Sequence, residues 1–326
     1  MSKAIDWERR IGRRLRLRDL HVFFAVVQSG SMAKAAAHLG ITQPSVSAAI
    51  RDLEAALNVR LFDRGPQGVE PTVYGGALLK CGLAAFDDLK QGIKSIEFLS
   101  DPDTGEVRIG SSEAVMAGCI PAIIDRLARR YPRIVIHTME GIGSSLRVAL
   151  RERRIDLVVA RSLPTLEEDL VAEQLFRDQL LVVAGIENRW ARRRRIDLSE
   201  LVDESWVLPT PDSRIGILIS ESFRSRGLAL PSLCIASNSM ILRSRLLATG
   251  RYISVLPTSF LHFGGEQPRL KVLPVTLPGI VPVTQIEKLK NRTLSPAVDR
   301  FIECARAVGR SMAVSPKPAS SRAVLP

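Results

Sequence analysis

Apolar side chains recur at helical spacing through residues 17–57, in three runs separated by short breaks. The first run ends at Ser29-Gly30, and the second begins with Ser31 and ends at Leu39-Gly40, since glycine tolerates the positive φ that closes a helix. Thr42 predicts the N-cap of the third helix, with Pro44 in its first turn, where the amide hydrogens have no intrahelical partner. The apolar positions that define the first and third helices are Leu17, Leu20, Phe23, Phe24, Val27, Val46, Ile50, Leu53 and Leu57.

Residues 59–72 predict a β-wing, because a Gly-Pro-Gln-Gly turn lies between the apolar anchor Leu61-Phe62 and a return strand. A long helix is then expected from about Thr72 to Leu99. A stripe that long, outside a compact core, predicts a partner helix and hence a dimer; packing onto the chain's own body is the alternative. The stripe consists of Leu79, Leu83, Phe86, Leu89, Ile93 and Ile96.

The sequence Asp101-Pro102-Asp103-Thr104-Gly105 predicts a break in the chain. Beyond it, short apolar runs alternate with helical stretches, which indicates α/β units around mostly parallel sheets. A last helix is expected over residues 295–308, followed by a disordered tail over residues 311–326. Strands are predicted at 107–110, 134–137, 155–160, 179–185, and near 206–208, 233–236 and 253–256.

The net charge of +12 favours a polyanionic partner, of which DNA is the commonest. Residues 1–105 hold 14 Lys and Arg against 12 Asp and Glu, so charge alone does not locate a DNA-binding face. A basic arm precedes the first helix and consists of Arg9, Arg10, Arg13, Arg14, Arg16 and Arg18. The basic run Arg192–Arg195 is interpreted as a solvated turn, with a second DNA contact as the alternative.

Several classes of protein are disfavoured by the sequence. No apolar stretch approaches the roughly 20 residues needed to cross a bilayer, and the N-terminus is charged, so no membrane association and a cytoplasmic location are expected. The four cysteines and four histidines show no metal-ligand spacing, so neither a metal nor another cofactor is expected. The chain lacks G-x-S-x-G, P-loop and paired Cys/His motifs, which argues against an enzyme.

Residues 15–75 resemble the N-terminal domain of LysR-type transcriptional regulators. The matching stretch is LRDLHVFFAVVQSGSMAKAAAHLGITQPSVSAAIRDLEAALNVRLFDR, followed by the glycine-rich wing, and it covers every helix in register. The resemblance implies a multidomain α and α/β protein: an N-terminal winged helix-turn-helix, a long linker helix and a C-terminal two-lobed, periplasmic-binding-protein-like domain. The expected boundaries are an arm at 1–14, a DNA-binding domain at 15–75, a linker helix at 76–100, an effector-binding domain at 106–310 with lobe I at about 106–175 and 282–310 and lobe II at about 176–281, and a tail at 311–326.

An α-helix fits the major groove of B-DNA, and its N-terminal end brings side chains to base edges. With the family pattern, this gives an expected DNA-contacting set, in which Pro44 shapes the helix start and Arg64 meets a phosphate beside the wing. The set is Ser31, Thr42, Gln43, Pro44, Ser45, Ser47, Arg51 and Arg64. Alternatively, the two serines of the third helix are merely solvated, and Arg51 pairs with Glu54 or Glu70. Ala48 and Ala33 depart from the family pattern, which commonly has polar side chains at both positions.

In LysR-type proteins the C-terminal half resembles a periplasmic solute-binding fold, in which two α/β lobes enclose a ligand. Strand ends and helix N-termini converge in such a cleft and leave amide hydrogens free to bind an anion. The expected effector is a small organic acid. The expected effector-binding residues are Ser111, Ser112, Ser144, Thr210 and Asn238. The alternative is that each caps its own helix.

The resemblance therefore implies a LysR-type DNA-binding transcriptional regulator whose sequence-specific operator binding is modulated by the effector. Its expected partners are double-stranded promoter DNA, the small-molecule effector, further copies of the chain in a homodimer or homotetramer, and RNA polymerase. The alternative is a cytoplasmic small-molecule-binding receptor without direct promoter control. Residues 15–72 argue against that alternative.

Overall fold

The computed structural model describes residues 15–65, 68–162, 167–231, 234–263, 269–279 and 281–314. These residues belong to two compact units, which divide between Lys90 and Gln91. The predicted basic arm at 1–14, with Arg9, Arg10, Arg13 and Arg14, lies outside the described residues. Within the described part of the chain, no helix is long and apolar enough to cross a membrane.

Unit 1 begins with three short helices and a two-stranded wing. The helices are α1 (Leu17–Ser29), α2 (Met32–Leu39) and α3 (Gln43–Leu57), and the antiparallel strands are β1 (Phe62–Gly65) and β2 (Gly68–Pro71). The helices end where the sequence predicts, since Gly30 and Gly40 adopt φ values of 61° and 65°. The three helices and the two wing strands are therefore confirmed, while residues 66–67 of the turn lie outside the described residues.

The core of unit 1 is built from the apolar faces of these three helices and the start of the wing. Phe23, Ile50 and Leu61 are fully buried, and the rings of Phe23 and Phe62 lie 5.1 Å apart. Burying each such side chain stabilises the fold by about 1.5–3 kcal/mol. The core therefore holds α3 by one face.

The long helix α4 (Val73–Ser100) carries the predicted apolar stripe, but the stripe divides into two parts. Leu79, Leu83 and Phe86 pack against the core of unit 1, and the ring of Phe86 meets that of Phe24 edge-on at 5.4 Å. A Cβ added to Gly82 would lie 2.6 Å from the Phe24 ring, so glycine permits this close approach. For the first half of the stripe, packing onto the chain's own body is the correct interpretation. The second half is exposed and consists of Leu89, Ile93, Ile96 and Leu99.

Unit 2 contains two five-stranded sheets. The first sheet has the strand order β4-β3-β5-β12-β6, and the second has the order β11-β7-β10-β8-β9. The strands are β3 (Thr104–Ser111), β4 (Arg133–Glu140), β5 (Leu157–Ser162), β6 (Leu170–Arg177), β7 (Leu180–Gly185), β8 (Trp206–Leu208), β9 (Cys234–Ala236), β10 (Ile253–Pro257), β11 (Leu270–Val272) and β12 (Val283–Leu289). The helices are α5 (Glu113–Met116), α6 (Cys119–Arg130), α7 (Gly143–Arg151), α8 (Arg214–Arg224), α9 (Met240–Ala248), α10 (Thr258–Phe263) and α11 (Pro296–Val314).

The prediction of mostly parallel sheets is wrong. In the first sheet β3 runs parallel to β4 and β5, but β12 runs antiparallel to β5 and β6. In the second, β8 runs parallel to β9 and β10, but β7 runs antiparallel to β10 and β11. The antiparallel pairs arise where the chain crosses between the sheets, from β6 to β7 and back to β12.

The last helix is longer than predicted. It extends to Val314, so residues 311–314 are helical where a disordered tail is expected from the sequence. Met312 packs against the core of the first sheet, and this contact explains the extra turn. Residues 315–326 of the predicted tail lie outside the described residues.

Candidate functional site

The start of α3 is capped as the sequence predicts. The Thr42 hydroxyl oxygen accepts a hydrogen bond from the backbone N of Ser45 at 3.3 Å, and the two hydroxyls lie 2.9 Å apart. Gln43 and Pro44 are exposed in the first turn. On the opposite face Val46 is fully buried. The helix is thus anchored by its apolar face and presents a polar N-terminal end to solvent.

Arg51 extends this polar surface along the helix. Its side chain is exposed, whereas Ser47, one turn earlier, is half-buried. Within the described residues, Arg51 forms no ion pair with either of its expected alternative partners. Glu54 instead accepts a hydrogen bond from the backbone N of Leu61 at 2.8 Å. The guanidinium of Arg51 is therefore available to an external partner.

The other two expected DNA contacts differ from these. Ser31 caps α2, accepting from the backbone N of Lys34 at 3.5 Å, and is half-buried. Arg64 lies in β1 opposite Val69, and its side chain lies outside the described residues. The structure accordingly brings together on α3 the set Thr42, Gln43, Pro44, Ser45, Ser47 and Arg51.

This arrangement suits binding to duplex DNA. The N-terminus of a helix offers free backbone amides and a positive dipole to phosphates, while side chains of the first turns reach base edges in the major groove. Hydroxyl, amide and guanidinium groups supply the donors and acceptors that base edges require. Ala48, half-buried beside Ser47, offers only a methyl group.

In unit 2, Thr210 and Asn238 contact each other directly. The Asn238 side chain accepts from the backbone N of Thr210 at 3.2 Å and donates to its hydroxyl at 2.9 Å. Because Thr210 follows β8 and Asn238 follows β9, this pair joins the ends of two neighbouring parallel strands. Asn238 is exposed and Thr210 half-buried, so the pair borders open space.

Ser112 lies close to this region, next to a contact between the two lobes. Its successor Glu113 accepts hydrogen bonds from the backbone N of Met240 at 2.8 Å and the Ser239 hydroxyl at 3.2 Å. A carboxylate of the first lobe thus occupies the N-terminus of α9, in the second lobe. Ser112 itself is half-buried and makes no side-chain capping bond.

The remaining two expected effector residues are placed differently. Ser111 is fully buried, and its hydroxyl donates to the carbonyl oxygen of Val159 at 2.7 Å, across the β3–β5 pair. Ser144 lies exposed in the first turn of α7. The structure brings Ser112, Thr210 and Asn238 into one region, and it holds the Ser111 hydroxyl inside the first sheet.

A buried charge cluster at the crossing between the sheets is missing from the predicted site. The Arg161 side chain is only 5% exposed, and its Nε donates to the fully buried Asp178 at 2.9 Å. Asp178 also accepts from the backbone N and the hydroxyl of Ser259, at 2.9 and 2.7 Å. The Nη2 atom of Arg161 is buried and has no hydrogen-bond partner among the described residues.

A second guanidinium, that of Arg243, is buried nearby. It donates to the Ser254 hydroxyl at 2.9 Å. Burial lowers the pKa of Arg243 to about 10; the charge of Arg161 lowers it further, and that of Glu113 opposes the shift. The sequence places Arg161 directly after an apolar run, which is the one local signal of this cluster.

Comparison with known proteins matches both units. Residues 17–76 match the model of the bacterial regulatory helix-turn-helix protein, lysR family, and residues 100–310 match that of the LysR substrate binding domain. The transcriptional dual regulator GltC of Bacillus subtilis is 28% identical over 89% of this chain and 96% of its own. The HTH-type transcriptional regulator GbpR of Azospirillum brasilense is 26% identical over 94% of this chain and 92% of its own.

Solved structures show the same fold over nearly the whole chain. A full-length OxyR variant from Pseudomonas aeruginosa superposes with a TM-score of 0.64 at 21% identity, covering 90% of this chain and 98% of its own. Full-length CbnR complexed with its target DNA superposes with a TM-score of 0.53 at 19% identity, covering 90% of this chain and all of its own. The matched models are those of regulators rather than enzymes. The chain therefore belongs to the LysR family of bacterial transcriptional regulators, with a DNA-binding helix-turn-helix and an effector-binding domain.

Proposed function

We propose that this regulator binds its operator through the first turns of α3, and that a small organic acid bound between the two lobes of unit 2 modulates that binding. The observation that carries the first part is the anchored helix with an unpaired Arg51 beside Ser47. Ser31 and Arg64 complete the proposed interface as phosphate contacts at the edges of the helix-turn-helix and wing. Phosphate contacts set the position of the protein, and base contacts set the sequence.

The proposed effector site includes the five residues expected from the sequence and adds Arg161. Thr210, Asn238 and Ser112 supply hydroxyl and amide groups near the loop that begins α9. The buried Nη2 of Arg161 favours an anion, since an unpartnered buried donor is costly and a carboxylate would satisfy it. Ser111 and Ser144 have a role in this proposal only if the lobes rearrange on binding.

Control of transcription then follows from a shift between conformations. The effector would favour one arrangement of the lobes, and the dimers or tetramers would present their DNA-binding units differently in the two states. The exposed half of the α4 stripe, with Leu89, Ile93 and Ile96, supports a partner helix from a second copy of the chain. RNA polymerase at the neighbouring promoter is the proposed target. Because this requires chromosomal DNA, the proposed location is the cytoplasm.

A footprint of the intergenic region beside the gene tests this function. Purified full-length protein is expected to protect a defined site, and one member of a panel of small organic acids is expected to change the length or position of the protected region. Protection that no acid alters would refute the organic-acid proposal and leave operator binding intact. Binding of an acid without any protected site would instead indicate a receptor without promoter control.

A further inference from the structure

A loop in the second lobe of unit 2 carries four consecutive arginines, Arg192–Arg195, all of them exposed. The loop follows a 3₁₀ turn at Arg189–Arg192. It is held by the neighbouring apolar side chains Trp190 and Ile196, which are 7% and 8% exposed. The four guanidiniums therefore project from a fixed base.

Polar contacts also fix this loop. Asn188 accepts from the backbone N of Trp190 at 3.0 Å and donates to the carbonyl oxygen of Gly250 at 2.8 Å. The second contact brings the loop beside Arg251, which is exposed as well. The Arg193 guanidinium lies over the Trp190 ring at 5.7 Å, so its position is defined by stacking.

Nearby carboxylates do not neutralise this charge. Asp197 accepts from the backbone N and the hydroxyl of Ser199, at 2.9 and 2.7 Å, and its nearest ion-pair partner is Arg226 at 3.9 Å. Glu204 pairs with Arg189. Within the described part of the chain, none of Arg192–Arg195 makes an ion pair. The segment thus presents four unpaired positive charges side by side.

The composition of the exposed surface indicates what binds there. Protein interfaces depend on apolar and aromatic anchors at their centre, whereas the apolar residues of 189–198 are buried and the exposed ones are polar. The planar fork of arginine matches a phosphate group with two parallel hydrogen bonds. Duplex DNA presents one negative charge for about every 1.7 Å of its axis, and a regulator of this family binds it. We propose that Arg192–Arg195, together with Arg251, form a second phosphate-binding surface for duplex DNA, separate from α3.

The test compares two triple variants of the full-length protein with equal loss of charge. The first is R192Q/R194Q/R195Q, which keeps Arg193 on the Trp190 ring. The control is R126Q/R129Q/R310Q, three exposed arginines of the first lobe. Equal unfolding temperatures for both variants and the wild type establish that each is folded. Binding to a labelled random-sequence duplex is followed by fluorescence anisotropy between 50 and 200 mM NaCl.

Loss of the proposed contacts is expected to flatten the plot of log affinity against log salt by about 0.9 for each phosphate released, up to about 2.7 for three arginines. The control variant is expected to keep the wild-type slope. Equal slopes for the two triple variants would overturn the proposal. An unchanged DNA slope with lost binding to polyglutamate would also overturn it, and would assign the surface to an acidic protein instead.

Discussion

The carboxylate of Glu54 accepts a hydrogen bond from the backbone N of Leu61 at 2.8 Å, which joins the last turn of α3 to the start of the wing. Leu61 is fully buried, so this bond satisfies an amide close to the core of unit 1. It also occupies the carboxylate that the sequence offers to Arg51 as a partner. One contact thereby positions the wing and leaves a guanidinium of α3 for DNA.

Replacing Glu54 is expected to destabilise unit 1. Glu54→Ala removes the acceptor and should cost about 1–3 kcal/mol, because the Leu61 amide would be left unsatisfied. Glu54→Gln retains a carbonyl oxygen and should cost less. Hydrogen exchange at the Leu61 amide measures the effect directly, with faster exchange expected in the alanine variant. Equal exchange in the alanine variant and the wild type would show that this bond does not hold the wing.

Arg51→Ala and Ser47→Ala are each expected to weaken operator binding by about 1–3 kcal/mol if the side chain contacts a base edge. Circular dichroism should show an unchanged fold, since neither side chain lies in the core. Lys80→Ala is the matched control for Arg51, as it removes one exposed positive charge from α4 of the same unit. Operator affinities that do not differ from that of the control would discard the assignment of α3 as the recognition helix.

Ser112→Ala is expected to weaken binding of the organic acid that alters the footprint by about tenfold, since a hydrogen bond to a charged group contributes about 1.5–3 kcal/mol. Isothermal titration calorimetry of the full-length protein with that acid measures the change. Ser225→Ala is the control, because the Ser225 hydroxyl is bonded within unit 2 to the carbonyl of Ser222. If both variants bound the acid as the wild type does, Ser112 would have no place in the site.

Asp178→Asn is expected to destabilise unit 2 by about 3–5 kcal/mol, because it leaves the buried charge of Arg161 without its counter-ion. Adding Arg161→Met should recover part of the loss, since the uncompensated charge is then removed as well. Urea denaturation followed by tryptophan fluorescence reports on this unit, which contains Trp190 and Trp206. A double variant no more stable than Asp178→Asn alone would show that the charge of Arg161 is not the cause.

The thiol of Cys119 is expected to resist alkylation in the folded protein. Burial, with a smaller effect of Asp178, raises its pKa from about 9 to about 12, so the reactive thiolate is absent at pH 8–10. Folding therefore loses stability from this group as the pH rises above about 9, where only the unfolded chain releases the proton. Iodoacetamide labelling at pH 8 should modify the exposed Cys81 and spare Cys119. Labelling of Cys119 at the rate of Cys81 would contradict this.

Local signals made the DNA-binding unit predictable. Ser31 and Thr42 cap the helices that directly follow them, and Gly30 and Gly40 end helices that directly precede them. Each of these features depends on residues within one turn of the chain, so spacing alone locates it. The strong apolar strands β3, β5, β7 and β10 were predictable for the same reason.

Features that depend on distant partners were not predictable. Strand β12 carries the buried Gln285 and Glu287 in place of an apolar run, and Glu287 is satisfied by Arg147 from α7. The pairing of Arg161 with Asp178 likewise depends on how the chain crosses between the sheets. In the candidate effector site, the direct contact between Thr210 and Asn238 depends on the adjacency of β8 and β9, which periodicity does not show.

The ratio of affinities for the protein's own promoter and for a random duplex of equal length tests the central claim most directly. At about 150 mM salt, the wild-type protein is expected to prefer its promoter by about 10³-fold or more, as specific binding exceeds non-specific binding by at least that much in typical regulators. Arg51→Ala is expected to reduce this ratio while retaining most of the affinity for the random duplex. Equal affinity of the folded wild-type protein for both duplexes, with and without organic acids, would contradict the account.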